Sequence, residues 1–306
     1  MTVTKDPLAS GDLIADRRYA YGRAAADDGD VATAADLFAQ ALELAPDWPA
    51  ALFALGDAEE RLGRGEAAAR RFRAALEADP ADSLGAGLRL ALLGAADAPQ
   101  ALPSAYVTRL FDDYAPRFEA HVVGALGYRG PALLVEALDI VAPGRRFADA
   151  LDLGCGTGLM GAAIRGRVQR LDGVDIAPAM VAAARARGVY HALEARDAVA
   201  FLDRSPAARY DLILAADLFC YLGDLAPLLA ACRRALAGGG LVAFTAEACE
   251  GDGFRLLKGL RFAHSPGYFE TAARDAGLRR LSLSPAWARR EADAEAPGLV
   301  GVYAAE

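Results

Sequence analysis

One stretch near the middle of the chain constrains the fold more than any other. A short apolar run at 147–153 ends beside an acid and a glycine-rich turn, Gly154-Cys155-Gly156-Thr157-Gly158. An alanine-rich segment with helical character follows from Leu159. A strand, a glycine turn and a helix in this order present backbone N–H groups to a ligand, because glycine adopts positive φ and lets the ligand come close. The stretch therefore predicts a ligand site at the end of a buried strand.

Strand-like and helical segments alternate through the rest of the chain, which is typical of a parallel α/β sheet. The segments predicted as strands are 147–153, 170–175, 191–196, 210–216, 240–247, 278–284 and 298–304. No crossover helix separates the last two of them, so we expect the final strand to run in the reverse direction. The glycines at 238–240 predict the stop of a helix and a turn before the fifth strand.

The region before the sheet contains an internal repeat with a period of 34 residues, as in the pairs Gly22 and Gly56, Phe38 and Phe72, and Pro46 and Pro80. This spacing resembles that of tetratricopeptide (TPR) repeats, which are helix–turn–helix units of that length. The repeat predicts helices at about 17–28, 31–44, 48–61 and 65–78, followed by a capping helix at 83–93. Trp48 is interpreted as a helix-packing residue.

These patterns predict four parts of the chain. Residues 1–16 form a tail, 17–95 the TPR-like helices, 96–146 a linker with lid helices, and 147–306 the α/β domain. In the linker, Leu110, Tyr114 and Phe118 recur at helical spacing. The pattern fits either an amphipathic helix that fills a core or a lid over a ligand, and Tyr114, Tyr128 and Arg129 are the candidates that would face a pocket.

The sequence Asp-Leu-Gly-Cys-Gly-Thr-Gly at 152–158 resembles the first motif of class I S-adenosylmethionine (SAM)-dependent methyltransferases. Dinucleotide-binding folds also carry Gly-x-Gly-x-x-Gly, but the acid Asp152 and the order of the later motifs favour the methyltransferases. The segment 106–131 resembles that of a bacterial group of TPR-containing methyltransferases. The resemblance implies a Rossmann-like seven-stranded sheet with a reversed last strand, and SAM as cofactor with S-adenosylhomocysteine as product.

The resemblance also assigns roles at the carboxyl ends of the strands, where ligands bind in open α/β sheets. It implies that Asp152 reaches the methionine amine, Asp175 the ribose hydroxyls and Asp197 the adenine amino group. Asp197 also suits a helix N-cap. The remaining expected cofactor-binding residues are Gly154, Cys155, Gly156, Gly158, Ile176, Ala198 and Ala216.

The residues expected on the substrate side are less specific. After the fourth strand come Asp217, Phe219 and Tyr221, and we expect Tyr221 and Tyr114 to meet the substrate. His264, at the start of a later helix, is the candidate general base, although a lone histidine also suits packing. Arg289 and Arg290 are either pocket residues for an anionic substrate or solvated surface residues.

Composition narrows the possible functions. The net charge of −8 argues against a nucleic-acid partner. No apolar run has the length of a membrane span and no signal peptide is evident, so we expect a cytoplasmic protein without membrane contact. The four cysteines, at 155, 220, 232 and 249, lack the spacing of a metal site or a disulfide framework.

Three functions therefore compete. The first is methylation of an O, N or C nucleophile of a small molecule, with the TPR-like part packing, forming a homodimer or recruiting a protein partner. The second is a TPR-mediated interaction protein with a regulatory SAM-binding domain, or an enzyme that methylates a protein. The third, a nicotinamide oxidoreductase, is disfavoured by the acids at 152 and 197 and by the final strand pair.

Overall fold

The computed structural model describes residues 9–291 and 294–306. The chain divides into two compact units, of which the first ends at Tyr106 and the second begins at Val107. Each unit contains apolar clusters of its own. The first half of the predicted tail, residues 1–8, lies outside the described residues. Within the described part of the chain, every helix falls short of the length or the apolar character needed to cross a membrane.

The first unit, here called the repeat unit, consists of paired helices. Its helices are α1 (Leu13–Asp27), α2 (Val31–Leu44), α3 (Pro49–Arg61), α4 (Gly65–Ala78) and α5 (Ala86–Leu92). Helix α1 begins earlier than the predicted residue 17, because Asp12 accepts hydrogen bonds from two backbone N–H groups and caps it. Helix α5 is shorter than predicted and starts after Gly85, whose φ is 78°.

Two repeated glycines explain the period of 34 residues. A Cβ atom at Gly22 would lie 2.6 Å from the ring of Phe38, and one at Gly56 would lie 2.8 Å from the ring of Phe72. Both phenylalanines are buried. The predicted close approach of two helices at small residues is therefore confirmed in both repeats. Trp48 is also buried, with its ring 4.7 Å from that of Tyr19, as expected for a packing residue.

The segment that begins the second unit is helical but interrupted. It contains α6 (Ser104–Tyr114), which starts just before the unit boundary, a 3₁₀ turn at Ala115–Arg117, a π-helical turn at Ala120–Ala125 and α7 (Gly130–Val141). Pro116 lacks a backbone N–H, so the α-helix gives way to the 3₁₀ turn.

A seven-stranded sheet forms the centre of the second unit. The first five strands are β1 (Phe147–Leu153), β2 (Val168–Asp175), β3 (Ala192–Ala195), β4 (Tyr210–Ala215) and β5 (Leu236–Glu247). They are followed by β6 (Phe254–Leu256), β7 (Phe262–His264), β8 (Leu278–Ala286), β9 (Arg290–Glu291), β10 (Ala294–Glu295) and β11 (Gly298–Ala305).

The strand order is β3-β2-β1-β4-β5-β11-β8. Strands β1 to β5 pair in parallel, whereas β11 pairs antiparallel to β5 and to β8. The predicted reversed last strand is therefore confirmed. The interleaved helices are α8 (Leu159–Ile164), α9 (Pro178–Ala186), α10 (Ala198–Arg204), α11 (Ala226–Ala235) and α12 (Pro266–Asp275).

Two features differ from the sequence prediction. Helix α11 already ends at Ala235, and the glycines at 238–240 lie within β5, where the register with β4 shifts. The prediction of a helix stop at these glycines is therefore wrong. A short hairpin of β6 and β7 between β5 and α12 also escaped prediction, because strands of three residues leave little periodicity.

Candidate cofactor and substrate site

The glycine turn after β1 has the backbone that the sequence predicts. Gly154, Gly156 and Gly158 have φ values of 66°, 51° and 89°, all in the left-handed region that favours glycine. The N–H of Cys155 donates to the carbonyl of Val174 in β2 at 3.0 Å, which ties the turn to the neighbouring strand end. The Cys155 side chain is buried, and its expected contact with the cofactor stays a prediction.

Asp175, the last residue of β2, shapes this turn. One carboxylate oxygen accepts from the N–H of Gly156 and the other from the N–H of Ala177, both at 2.9 Å. Burial raises the pKa of Asp175, while these backbone hydrogen bonds lower it. Each carboxylate oxygen can accept more than one hydrogen bond, so both remain able to receive a hydroxyl. The residue thus holds the turn in place and presents acceptors beside it.

Asp152 differs from Asp175 because only one of its two carboxylate oxygens has a hydrogen-bond partner among the described residues. Its Oδ2 accepts from the hydroxyl of Tyr190 at 2.6 Å, whereas its Oδ1 is buried without a hydrogen-bond partner among the described residues. Burial raises the pKa of Asp152 to about 7, and the hydrogen bond from Tyr190 lowers it. A buried acceptor of this kind, next to a glycine turn, fits a cationic ammonium. The site therefore fits the aminoacyl end of SAM.

The other expected cofactor residues follow the neighbouring strands. Ile176, Ala198 and Ala216, all partly exposed, come after β2, β3 and β4. Asp197 accepts from the N–H of Ala200 at 2.9 Å and caps α10, so the N-cap interpretation is confirmed. Since the carboxyl ends of parallel strands meet at one edge of the sheet, these residues share that edge with the glycine turn. Their contact with the cofactor stays a prediction.

A charged cluster follows β4 and β5 at the same edge. We call it the arginine–carboxylate cluster; it consists of Asp217, Tyr221, Glu247, Arg261 and Arg289. Arg261 donates to Asp217 at 2.6 Å, to the hydroxyl of Tyr221 at 2.7 Å and also to Glu247. Arg289 donates to Glu247 at 2.6 Å. Asp217 has a φ of 63°, which is uncommon outside glycine and is often found at functional sites.

Only part of this cluster was expected from the sequence. Asp217 and Tyr221 were expected on the substrate side, and Arg289 as a possible pocket residue. Glu247 ends β5, so the rule for strand ends could have identified it. Arg261 precedes β7 and carries no motif, and it is 44 residues from Asp217. Arg290 is exposed and lies over the Trp287 ring, in agreement with the surface interpretation.

The candidate tyrosines occupy different surroundings. Tyr221 is half-buried, and its ring meets Phe111 edge-on at 5.4 Å between centroids. Tyr114 hydrogen-bonds through its hydroxyl to Nδ1 of His121. Tyr128 faces the carboxylates of Asp217 and Asp152, and burial raises its pKa well above the usual value. Burial likewise raises the pKa of Tyr114 and of Tyr221. All three therefore keep their protons at neutral pH.

His264 lies in β7 and is fully buried. Its Nε2 is 3.1 Å from the carbonyl oxygen of Gly223, and its ring stacks on Tyr268. Its Nδ1 has no hydrogen-bond partner in the described part of the chain. Burial lowers the pKa of His264 to about 4. The imidazole is therefore neutral at neutral pH, with one nitrogen that can accept a proton.

One residue expected on the substrate side, Phe219, lies in the core instead. Phe219 is fully buried in a stack with Phe244 and Phe269, so its expected place beside a substrate is wrong. The apolar core next to β5 takes its ring instead. The expected lid segment contacts the cofactor edge through Asp112, which accepts from the N–H of Ala179 at 2.8 Å.

Comparisons with known proteins agree with this geometry. Residues 151–242 match the family model of a methyltransferase domain, and residues 25–92 match that of the tetratricopeptide repeat. Sequence comparison with curated proteins gives no match. The fold and the family match thus define a methyltransferase domain with a Rossmann-like sheet. The chain joins this domain to TPR repeats, as the sequence predicts.

Solved structures share this fold over 63–69% of the chain. The [4+2]-cyclase SpnF superposes with a TM-score of 0.55 at 17% identity, covering 68% of this chain and 97% of its own. A Burkholderia thailandensis 1,6-didemethyltoxoflavin-N1-methyltransferase, solved with its substrate and S-adenosylhomocysteine, gives 0.51 at 19% identity, covering 69% and 93%. A SAM-dependent methyltransferase from Leishmania major gives 0.52 at 18% identity, covering 63% and 80%. These likenesses show the fold.

Proposed function

We propose that the second unit, here called the catalytic unit, transfers the methyl group of SAM to an O, N or C nucleophile of a small molecule. The observation that carries the proposal is the pair of buried acids beside the glycine turn, in which Asp175 fixes the turn and Asp152 keeps Oδ1 directed away from Tyr190. A methyltransferase of this fold from Burkholderia thailandensis was solved with a small-molecule substrate, which supports that substrate class.

The residues present would hold SAM in the following way. Asp152 receives the methionine ammonium, Asp175 the ribose hydroxyls, and Asp197 the adenine amino group, with Ile176 and Ala198 against the ring. When bound, SAM supplies an electrophilic methyl group on a sulfonium. Methyl transfer is an in-line displacement, so the chain contributes mainly by aligning the nucleophile.

The arginine–carboxylate cluster is the part of the site that would orient the substrate. Its charges balance, with two arginines against two carboxylates, and mutual hydrogen bonds hold each side chain in place. A fixed set of donors and acceptors positions a polar substrate without reorganising during the reaction. Tyr221 and Tyr114, which keep their protons, act as hydrogen-bond donors or packing surfaces in this scheme.

His264 remains the candidate general base. A group with a pKa of about 4 is a weak base, so His264 would assist only a nucleophile that is itself acidic. For a more basic nucleophile such as a free amine, alignment alone would suffice. The identity of the methylated atom therefore decides whether His264 takes part.

The repeat unit would pack, form a homodimer or recruit a partner. Helix α1 exposes the large apolar side chains of Leu13, Ile14 and Tyr21, at 86%, 60% and 61%. Exposed apolar side chains grouped on one helix often belong to an interaction surface. This observation favours a protein partner or a second copy, and it keeps protein methylation as the second candidate function.

Calorimetry with SAM tests the cofactor assignment. We expect Asp175→Ala to abolish detectable binding, because the substitution removes the acceptors and releases the N–H groups of Gly156 and Ala177. The matched control is Asp203→Ala on the exposed end of α10, which should bind as the wild type does. If Asp175→Ala bound SAM with the affinity of the wild type and kept its fold by circular dichroism, the cofactor assignment would be wrong.

Methyl-labelled SAM separates the two candidate functions. The protein is incubated with labelled SAM and either the small-molecule fraction or the protein fraction of a cell extract. Label in the small-molecule fraction supports the proposal, whereas label confined to protein supports the alternative. Absence of transfer to both fractions, in a protein that binds SAM, would favour a regulatory SAM-binding domain.

A further inference from the structure

The ring of Tyr190, in the loop between α9 and β3, packs against three glycines that have no side chain to exclude it. A Cβ atom at Gly158 would lie 3.1 Å from its ring, one at Gly161 would lie 2.5 Å from its Cζ, and one at Gly173 would lie 2.9 Å from its Cδ1. Gly161 and Gly173 have no positive φ, so backbone conformation does not require glycine at these two positions. The space they leave is taken by the tyrosine ring.

This packing places the Tyr190 hydroxyl against the carboxylate of Asp152. The hydroxyl donates to Oδ2 at 2.6 Å, which is a short, charge-assisted hydrogen bond when the carboxyl is ionised. A carboxylate fixed through one oxygen cannot rotate freely, so the direction of Oδ1 is set as well. The Asp152 side chain is fully buried.

We propose that Tyr190 is a positioning residue for the cofactor, which holds the Asp152 carboxylate ionised and directs Oδ1 toward the methionine ammonium. The inference rests on the proposed SAM-dependent function and extends it to a residue outside the glycine motif. In this proposal Gly161 and Gly173 leave the space that the Tyr190 ring fills. Gly154, Gly156 and Gly158 instead provide the positive φ values of the turn.

The groups around Asp152 determine how its charge responds to pH. Four face it: Tyr190 from the loop before β3, Asp175 from β2, Cys155 from the turn and Tyr128 from the segment before α7. Burial raises the pKa of Cys155, Tyr128 and Tyr190, so these three stay neutral at physiological pH. Burial and the neighbouring Asp175 raise the pKa of Asp152, whereas the hydrogen bonds from Tyr190 and from the Gly161 backbone lower it.

The sign of the effect follows from these contacts. The hydrogen bond from Tyr190 lowers the pKa of Asp152, so removal of the hydroxyl raises it above about 7. More of the carboxyl is then protonated at pH 7, and a protonated carboxyl does not attract an ammonium. Affinity for the cofactor should fall most near neutral pH and recover as the pH rises.

Calorimetry with S-adenosylhomocysteine tests the inference on the full chain between pH 6 and 8.5. We expect Tyr190→Phe to bind about tenfold more weakly than the wild type at pH 7, and the ratio of the two dissociation constants to shrink at pH 8.5. The ratio cancels the titration of the ligand itself. Tyr303→Phe is the matched control, since the Tyr303 hydroxyl is buried without a hydrogen-bond partner among residues 9–291 and 294–306.

Asp152→Asn provides the second arm. The amide does not ionise, so adding Tyr190→Phe to Asp152→Asn should leave no pH-dependent difference between the two variants. Equal affinities of wild type and Tyr190→Phe at pH 7, or a ratio that stays constant with pH, would overturn the inference. The second result would mean that Tyr190 only fills space.

An NMR titration keeps the inference separate from the cofactor assignment. The carboxyl carbon of Asp152 is followed in the cofactor-free wild type and in Tyr190→Phe. A higher pKa in the variant supports the role of Tyr190, and an unchanged pKa refutes it, whether or not the ligand binds. Failure of the wild type to bind S-adenosylhomocysteine would instead refute the proposed function.

Discussion

In the repeat unit, Gly22 and Gly56 keep a helical backbone and leave room for a phenylalanine of the next helix, whereas Gly154 and Gly156 in the catalytic unit have positive φ and form a turn. The first use depends on a neighbour at a fixed distance in the sequence. The second depends on strand ends that lie far apart in the chain. The stability of the repeat unit should therefore be sensitive to added side-chain volume at its helix contacts. The stability of the catalytic unit should be sensitive to the loss of charged or hydrogen-bonding side chains.

The largest expected effect comes from breaking the buried charges of the catalytic unit. Arg261→Met leaves Asp217 and Glu247 without one of their two arginines, and loss of one member of a buried ion pair destabilises by about 3–5 kcal/mol. We expect a large fall in melting temperature and loss of methyl transfer. The control, Arg274→Met, removes an exposed pair with Asp275 and should change little. A melting temperature like that of the wild type would contradict the importance of buried charge.

A smaller effect is expected from added volume in the repeat unit. Gly56→Ala places a methyl group 2.8 Å from the Phe72 ring, and overpacking of this kind destabilises by about 1–3 kcal/mol. Denaturant unfolding measures the loss. Gly65→Ala is the control, because it starts α4 and a Cβ there meets no described atom within 4 Å. If both variants were equally stable, volume would not explain the period of 34 residues.

The smallest effect concerns the response to acid. In the folded chain the pKa of His264 is lowered to about 4 from 6.5, so the unfolded chain binds the proton more readily. The contribution of the neutral His264 to the free energy of unfolding is complete above pH 6.5 and is lost as the pH falls toward 4. The loss amounts to roughly 1–2 kcal/mol at pH 5. His264→Gln should therefore lose less stability between pH 7 and pH 5 than the wild type, as measured by thermal unfolding.

The exposed His191 supplies the comparison for that experiment. His191→Gln should retain the acid response of the wild type, because it leaves the buried imidazole in place. An identical acid response in His264→Gln and the wild type would show that other groups cause it.

Local patterns predicted the elements well and the site only in part. The run 147–153 predicted β1 with its observed bounds, and Asp197 predicted the cap of α10, because both signals lie within a few residues. Tyr190 was missed because its partner Asp152 lies 38 residues away and nothing in its neighbours marks it. Arg261 was missed because the β6–β7 hairpin that contains it is too short to show a periodic pattern in the sequence.

The position of β11 has a consequence for how the protein is made. This strand follows every other strand of the sheet in the chain, yet it lies between β5 and β8 and pairs with both. Until residues 298–305 have been synthesised, β5 and β8 present unpaired edges that can join other chains. The repeat unit, made earlier and held by local contacts, can fold before that time. Newly made chains should therefore be most prone to aggregation in the interval between synthesis of β8 and insertion of β11.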